Sequence, residues 1–187
     1  MDAALNDDEL LRRMAAGDAE AFAALYRRWG DVVHRFALQM SGSPAIAEDV
    51  TQEVFMALMR EPRRYDSSKG SLSAYLYGIA RHQVLRQLTK RQTEVQLTDE
   101  VGGENLIVSH PAADPLGELT RNETIDAVRR AVLCLPEHYR EVVVLCELHE
   151  MSYAEASAVL GCAVGTVRSR LHRARTLLTE KLRQNNA

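Results

Sequence analysis

The 187-residue chain has few aromatic residues, few cysteines and no long apolar run, and each shortage excludes a class of protein. Aromatics make up 5% of the residues, whereas Ala, Leu, Arg and Glu abound, which favours helices over sheets. The three cysteines, Cys134, Cys146 and Cys162, are an odd number that does not suit a disulfide framework. The longest apolar run, near Val142–Cys146, is far shorter than the roughly 20 residues of a membrane span. We therefore predict an all-α fold without membrane insertion.

The N-terminal sequence, MDAALNDDELLRR, is acidic and lacks the basic-then-apolar order of a signal peptide. The hydrophobic share of 46% and the charged share of 26% are ordinary values for a globular protein. We therefore expect a cytoplasmic protein with at least one packed core.

Charge is unevenly distributed along a chain whose net charge is −3. Residues 1–90 are neutral overall, residues 91–120 carry a net charge of −5, and residues 121–187 carry +2. The acidic block also contains Gly102-Gly103, His110-Pro111 and Asp114-Pro115, which are typical of a linker. The prediction is two small helical domains, residues 1–91 and 118–187, joined by a flexible acidic linker over 92–117.

Apolar spacing predicts where the helices lie. Two helices are expected between Asp7 and Met40, and a third begins at Pro44 and stops at Glu61-Pro62. A fourth is expected over Leu72–Lys90. The C-terminal domain is predicted to be helical over 118–134, 137–149, 152–160 and 165–184.

The last two helices have the pattern of a helix-turn-helix. Ser152 and Glu155 fit a capping box, and Gly161 stands where a helix needs a left-handed residue after its end. A new helix begins around Val164–Thr166, directly after this short turn. The pattern predicts a DNA-binding module.

The final helix has one apolar side and one basic side. From Thr166 to Arg183 it carries six basic residues and one acidic residue. Arginine can bind guanine through two hydrogen bonds, and Ser or His can donate to bases or phosphates. The apolar stripe consists of Val167, Leu171, Ala174, Leu178 and Leu182, and the opposite side of Arg168, Ser169, His172, Arg173 and Thr176.

In the N-terminal domain, a group of tyrosines precedes a basic stretch. Tyr65, Tyr75 and Tyr77 are followed by a stretch, 81–91, that has four basic residues and no acidic one. Aromatic rings stack on unpaired bases while cations follow the phosphates, so this composition suits a melted DNA strand. Tyr75 and Tyr77 could equally be core residues, because a helix buries one of the two.

Both domains resemble parts of the extracytoplasmic-function sigma factors of bacterial RNA polymerase. The C-terminal domain resembles region 4 in its motifs LP–RE–VVVL, SYAE and GTVRSRLHRAR. The N-terminal domain resembles region 2 in AFAALYRRW, AEDVTQEVFMAL and AYLYGIARHQVLRQL. One departure is Glu150, which stands where the family often has glycine before the helix-turn-helix.

The resemblance implies a transcription initiation factor, not an enzyme, that acts with core polymerase on promoter DNA. The expected partners are the β′ clamp helices, the β flap and an anti-sigma factor. The resemblance places −35 contacts at Thr166, Arg168, Ser169, His172, Arg173 and Arg175. It places −10 contacts and melting at Tyr65, Lys69, Tyr75, Tyr77, Arg81, His82, Arg86 and Lys90. It places the contacts with the polymerase at Asp49, Gln52, Glu53 and Met56. It also implies that the acidic linker occupies the RNA path of the polymerase.

Other interpretations remain open at this point. A stand-alone helix-turn-helix regulator would share the C-terminal pattern but would not need the tyrosine-bearing basic helix. A small enzyme would need a nucleophile with its base or a glycine-rich phosphate loop, and neither is evident. Two pairs, Cys134 with His138 and Cys146 with His149, have a spacing seen in zinc sites. We expect buried thiols and surface histidines instead, with no metal and no cofactor.

Overall fold

The computed structural model describes residues 5–98 and 118–185. These residues form eight α-helices and one π-helical turn and contain no strand, so the predicted all-α fold is confirmed. Most of the predicted linker, residues 99–117, lies outside the described residues. The helices are α1 (Asp7–Ala15), α2 (Ala19–Ser41), α3 (Pro44–Arg60), α4 (Leu72–Thr98), α5 (Glu118–Leu133), α6 (Glu137–Val143), α7 (Tyr153–Leu160) and α8 (Val164–Asn185), and the π-turn is Val144–Leu148.

Local side-chain hydrogen bonds fix where the first helices begin. The Asn6 side chain accepts from the Glu9 amide at 2.8 Å, and Asp18 accepts from the amides of Glu20 and Ala21. Such caps satisfy amides that have no partner inside the helix. Pro44 opens α3 as the sequence predicts, because its fixed φ suits the first helical turn.

Helices α1–α4, the N-terminal half, pack around a row of buried apolar side chains. The predicted i, i+4 row on α3 faces inward throughout, with each member no more than 1% exposed. Phe36 on α2 and Leu76 on α4 complete the same core at 1% exposure each. The α3 row consists of Ile46, Val50, Val54 and Leu58.

Helices α5–α8, the C-terminal half, contain the predicted helix-turn-helix. Ser152 accepts from the Glu155 amide at 3.2 Å, and the Glu155 carboxylate accepts from the Ser152 amide at 3.1 Å, which confirms the capping box. Gly161 ends α7 with φ 62°, as predicted. Val167, Leu171 and Ala174 bury the inner side of α8 at 1% exposure or less, so its basic side faces outward.

Two elements differ from the sequence-based prediction. Helix α4 continues to Thr98 instead of ending near Lys90, because no Gly or Pro lies between Lys90 and Gly102. The expected helix over 137–149 changes at Val144 into a π-turn, in which the His149 amide donates to the Val144 carbonyl at 3.0 Å. A π-turn accommodates one extra residue, which rotates the following side chains relative to an α-helix.

The π-turn is followed by a non-glycine residue with a left-handed backbone. Glu150 has φ 54°, the one positive φ outside glycine among the described residues. For an ordinary L-residue this conformation costs roughly 1–2 kcal/mol. The sequence feature that indicates an unusual backbone here is a glutamate at a position where the family that the chain resembles often has glycine.

The two halves share one continuous core. Helix α2 contacts α5 and the π-turn, and α4 contacts α7. Gly42, which ends α2 with φ 68°, lies so close to Leu133 that a Cβ on Gly42 would stand 2.9 Å from Leu133 Cδ1. Glycine at residue 42 therefore lets the turn between α2 and α3 approach the end of α5 without displacing the Leu133 side chain.

We expect Gly42→Ala to lower the free energy of unfolding by about 1 kcal/mol, through left-handed strain and the contact with Leu133. The matched control is Gly78→Ala, because Gly78 lies inside α4 with nothing within 4 Å of a new Cβ. That substitution should raise the free energy of unfolding by about 0.5–1 kcal/mol. Urea denaturation of both variants measures the difference, and equal effects would contradict the proposed fit of Gly42.

Candidate nucleic-acid interface

The outward side of α8 is a continuous exposed surface of hydrogen-bond donors. Arg168, Ser169, His172 and Arg173 are all exposed, as the periodicity of the sequence predicts. Thr166 is half-buried, and its carbonyl accepts from the Ser169 hydroxyl at 3.0 Å. The donors of this surface project from one side of a helix that a major groove is wide enough to admit.

Two arginines of α8 also have contacts inside the C-terminal half. Arg175 Nη2 lies 2.5 Å from Glu147 Oε1 in the π-turn, and Arg168 lies over the Tyr153 ring at 6.0 Å from its centroid. Both contacts are solvent-exposed, so each stabilises the fold only slightly. They hold the two guanidinium groups close to the rest of the basic side.

Helix α4 has a shallow groove that brings several predicted −10 residues together. His82 and Arg86 are exposed along it, and Arg81 is half-buried at its edge. The density of positive charge would attract a phosphate backbone. The groove is lined by Arg81, His82, Leu85, Arg86, Thr89 and Lys90.

The loop before α4 places two of the predicted tyrosines side by side. The rings of Tyr65 and Tyr75 lie 5.6 Å apart, and the Tyr65 hydroxyl donates to the Gly70 carbonyl at 3.2 Å. Partial burial raises the pKa of both phenols, so both stay neutral at physiological pH. Lys69 is exposed beside them and lies 3.3 Å from Asp66.

Tyr77 is the tyrosine that the helix buries. Its side chain is 4% exposed, and its ring packs 5.0 Å from Phe36 and 5.0 Å from His149. Its hydroxyl lies 2.7 Å from His149 Nδ1, and burial raises the pKa of Tyr77 to about 12. In this arrangement of the two halves Tyr77 is inaccessible to DNA, unlike Tyr65 and Tyr75.

Arg81 also forms a salt bridge with the C-terminal half. Its Nε lies 2.6 Å from Glu141 Oε1, and the Glu141 side chain is 3% exposed. A buried carboxylate needs a partner of this kind, because an unpaired charge in the interior is strongly destabilising. The sequence gives no sign of this pair, whose members are 60 residues apart.

The predicted docking residues lie beside an aromatic groove between α2 and α3. Gln52 and Met56 line the groove together with Phe22, Tyr26 and Phe55. Tyr26 is 47% exposed, and its ring packs 4.8 Å from Phe55. Asp49 is exposed and Glu53 half-buried on the adjoining side of α3. The surface combines an apolar groove with carboxylates, which fits a basic amphipathic helix.

The histidines and cysteines of the two pairs lie in surroundings that differ in part from those expected. Within the two described ranges, no three His, Cys, Asp or Glu side chains are placed to hold an ion. His149 is not a surface residue as expected, because its Nε2 lies 2.8 Å from Gln39 Oε1 while Nδ1 faces Tyr77. Cys134 is exposed instead of buried. None of the described helices is long and apolar enough to cross a membrane.

Arg140 is a further contact between the halves that the sequence does not reveal. Its Nη1 donates to the Met40 carbonyl at 2.6 Å, and its Nη2 donates to the carbonyls of Leu133 at 2.6 Å and Leu135 at 3.1 Å. Burial lowers the pKa of the Arg140 guanidinium. Nothing in the LPEHYRE motif distinguishes this arginine from a surface one.

The sequence of this chain matches two family models. The model of sigma-70 region 2 matches residues 25–94, and a model of sigma-70 region 4 matches residues 125–178. Together they cover more than half of the chain, and they define a transcription factor with two sigma regions. The chain belongs to the extracytoplasmic-function group of RNA polymerase sigma factors, which are initiation factors and not enzymes.

Sequence similarity to individual sigma factors supports this assignment. The sigma factor SigW of Bacillus subtilis is 31% identical over 92% of this chain and 95% of its own length. SigC of Mycobacterium tuberculosis is 32% identical over 95% of this chain and 94% of its own length.

Two solved structures have a similar fold. The sigma factor RpoE in complex with the anti-sigma factor NepR from Bartonella quintana has a TM-score of 0.71 at 28% identity, covering 88% of this chain and 98% of that one. CnrH in complex with the cytosolic domain of CnrY has a TM-score of 0.70 at 26% identity, covering 95% and 97%.

We expect the free energy of unfolding to decrease as the pH is lowered, because of the titration of His149. Burial, with a smaller contribution from Arg35, lowers the pKa of His149 from 6.5 to about 4. Between pH 6.5 and about 4, His149 is protonated in the unfolded chain but not in the folded chain. The contribution of His149 to the free energy of unfolding is therefore complete above pH 6.5 and decreases as the pH drops toward 4. Allowing for the partial exposure of His149, the loss from pH 7 to pH 5 should be about 1 kcal/mol.

Urea denaturation at both pH values measures this loss, with two matched variants. His149→Gln should lose this part of the pH dependence, whereas His138→Gln should retain it, because His138 is exposed. An unchanged pH dependence in His149→Gln would contradict the assignment to this ring.

Proposed function

We propose that this chain binds core RNA polymerase in the cytoplasm and directs initiation by recognising a −35 and a −10 element. The observation that carries the proposal is that one chain bears three distinct surfaces. The outward side of α8 suits duplex DNA, α4 and the loop before it suit a separated strand, and the α2–α3 groove suits a protein helix.

The −35 element is assigned to α8. Arg168, Ser169, His172 and Arg173 share its outward side, and the buried stripe through Leu171 fixes the helix from behind. Arginine gives directional, two-point recognition of guanine, whereas Ser and His add donors for bases and phosphates. Thr166 and Arg175 extend this surface at its edges.

The −10 element and DNA melting are assigned to α4 and its preceding loop. Tyr65 and Tyr75 offer ring faces near Lys69, and the basic groove of α4 would follow the phosphates of one strand. Stacking on an aromatic ring is worth about 1–3 kcal/mol per base, which helps to hold a melted strand open. Tyr77 and Arg81 join this surface only after the two halves separate.

Polymerase docking is assigned to the α2–α3 groove. Gln52 and Met56 would contact a helix of the β′ clamp within the groove, and Asp49 and Glu53 would pair with its basic residues. The aromatic lining supplies apolar area, and the carboxylates select the orientation. The β flap is the proposed partner of the C-terminal half.

An anti-sigma factor is a further proposed partner. RpoE of Bartonella quintana was solved in complex with the anti-sigma factor NepR, and its fold covers most of this chain. We therefore assign to this chain the same kind of control, in which a bound protein withholds the factor from polymerase.

Run-off transcription tests the proposed function. Core polymerase with the purified chain should initiate at specific members of a promoter library, and core polymerase alone should not. Tight, sequence-specific DNA binding by the chain without polymerase, and no specific initiation with it, would favour a stand-alone regulator instead.

We expect Arg173→Ala to reduce initiation from a −35-dependent promoter about tenfold, since a lost arginine–guanine contact is worth about 1–3 kcal/mol. Core polymerase binding should be unchanged. The control is Arg183→Ala, an exposed arginine about 15 Å further along α8, which should have little effect. If Arg173→Ala weakened polymerase binding as much as initiation, the division of roles between the halves would be wrong.

A further inference from the structure

Two arginines of α8 lie on one line along the edge of its outward side. Arg168 and Arg175 are seven residues apart, so they lie about 20° apart around the helix and about 10.5 Å apart along it. Ser169, at the centre of the outward side, lies about 100° from Arg168. Leu171, in the buried stripe, lies about 60° from Arg168 in the opposite direction. The two arginines therefore border the outward side instead of forming its centre.

Tyr153, the first residue of α7, lies beside both of these arginines. The Arg168 guanidinium lies over the Tyr153 ring, with Cζ 6.0 Å from the ring centroid. Arg175 Nη2 lies 2.5 Å from Glu147 Oε1, and hydrogen bonding to Glu147, with a smaller contribution from Tyr153, raises the pKa of Arg175. Tyr153 is half-buried and packs against the core, so the ring is itself held in place.

These contacts leave both guanidinium groups able to bind a ligand. A guanidinium that lies over a ring uses its face, so the N–H groups in its plane remain available to an acceptor. Arg175 donates to Glu147 through Nη2, which is one part of a group with five N–H donors. Arg168 is exposed, and the Arg175 side chain is 58% exposed.

The position of the two arginines points to phosphate as their ligand. When a recognition helix lies in the major groove, its outward side faces the base edges, and the first helix of the motif crosses the DNA backbone. Arg168 and Arg175 border α8 on the side of α7 and the π-turn, because Tyr153 and Glu147 belong to those elements. A guanidinium there would bind phosphate oxygens of the crossed strand through two parallel hydrogen bonds.

Stabilisation of the fold does not account for these contacts. Both arginines are exposed, and exposed ion pairs and ring contacts of this kind contribute little to stability. Holding a long side chain in one orientation before binding, in contrast, lowers the entropy that is lost when a ligand binds it. The contacts of Arg168 and Arg175 therefore matter most when DNA is bound.

We propose that Tyr153 is a positioning residue for promoter recognition, which holds Arg168 and Arg175 toward the phosphates of the strand that α7 crosses. Base selection then belongs to Ser169, His172 and Arg173 on the outward side. The proposal rests on the proposed sigma function, since it assigns roles within the same −35 surface. Phosphate contacts do not depend on sequence, so any DNA duplex can test it.

The test measures binding of the free full-length chain to a short fluorescein-labelled DNA duplex of arbitrary sequence, by fluorescence anisotropy over a range of salt concentrations. Arg168→Ala should weaken binding about fivefold at low salt and reduce the slope of log K against log salt by about 0.9, the value for one phosphate contact. Tyr153→Leu should weaken binding about threefold and leave the slope unchanged, because both cations remain.

A double-mutant cycle separates positioning from a structural role. When Arg168 and Arg175 are both replaced by alanine, adding Tyr153→Leu should have almost no further effect, because no arginine is left to position. Tyr153→Phe keeps the ring beneath Arg168 and should recover most of the affinity that Tyr153→Leu loses. The matched control is Tyr139→Leu, which should leave the affinity unchanged. It removes another half-buried tyrosine of the same half, whose ring lies 4.0 Å from that of His138.

Two results would overturn the proposal. Equal losses from Tyr153→Leu with and without the two arginines would show that Tyr153 acts through the fold. Unchanged affinity in Tyr153→Leu, or no binding of the wild-type chain to the duplex at low salt, would contradict positioned phosphate contacts. If circular dichroism shows that Tyr153→Leu does not fold, Tyr153→Met takes its place in the cycle, because it removes the ring and keeps an apolar side chain of similar length.

Run-off transcription by the wild-type holoenzyme separates this result from the proposed function. Specific initiation without coupling between Tyr153 and the two arginines rejects the positioning role and leaves the sigma function intact. Coupling on the duplex without specific initiation supports the positioning of phosphate contacts and rejects the sigma function.

Discussion

The arrangement of the two halves depends on the hydrogen bonds that the Arg140 guanidinium donates to backbone carbonyls. The guanidinium binds carbonyls at the C-terminal ends of α2 and α5, at Met40 and Leu133, each at 2.6 Å. Helix C-termini carry partial negative charge, so a half-buried cation between two of them is stabilised there. Arg140 thereby fixes α6 against the N-terminal half, and α6 in turn positions Glu141 and the π-turn against α4.

Local features of the sequence predicted most of the helices and the outward side of α8. The capping box of Ser152 and Glu155, the left-handed Gly161 and the apolar stripe through Leu171 each depend on residues within a few turns of one another. Such patterns are visible in one dimension because helix geometry alone relates their members. The family resemblance, and not helix geometry, drew attention to Glu150, which stands where the family often has glycine, and the structure shows a left-handed backbone there at φ 54°.

Contacts between distant residues were beyond sequence reasoning. Tyr77 and His149 are 72 residues apart, and Arg140 and Met40 are 100 apart, so no spacing rule connects them. Periodicity indicated that α4 would bury either Tyr75 or Tyr77, but only the packing of the C-terminal half decides which. The π-turn cannot be predicted from the sequence for a related reason. Its sequence, VLCEL, has ordinary helix propensity, and its register is set by tertiary contacts.

The net charge of −3 conceals surfaces of opposite sign, and carboxylates of the C-terminal half pair with basic residues of both halves. Glu141 pairs with Arg81 across the two halves, and Glu147 pairs with Arg175 within the C-terminal half, beside the outward side of α8. These pairs lower the positive charge that the free chain presents. A factor built this way would bind DNA weakly until a larger partner rearranges it.

The most direct test of whether the halves separate is the distance between them in solution, measured by electron spin resonance. Spin labels on cysteines introduced at the exposed residues Ser67 and Thr179, with the three native cysteines replaced by serine, would report on α4's preceding loop and on α8. We predict one narrow distance distribution for the free chain and a shift to longer distances in the holoenzyme. The same distribution in both states would contradict a separation of the halves on polymerase.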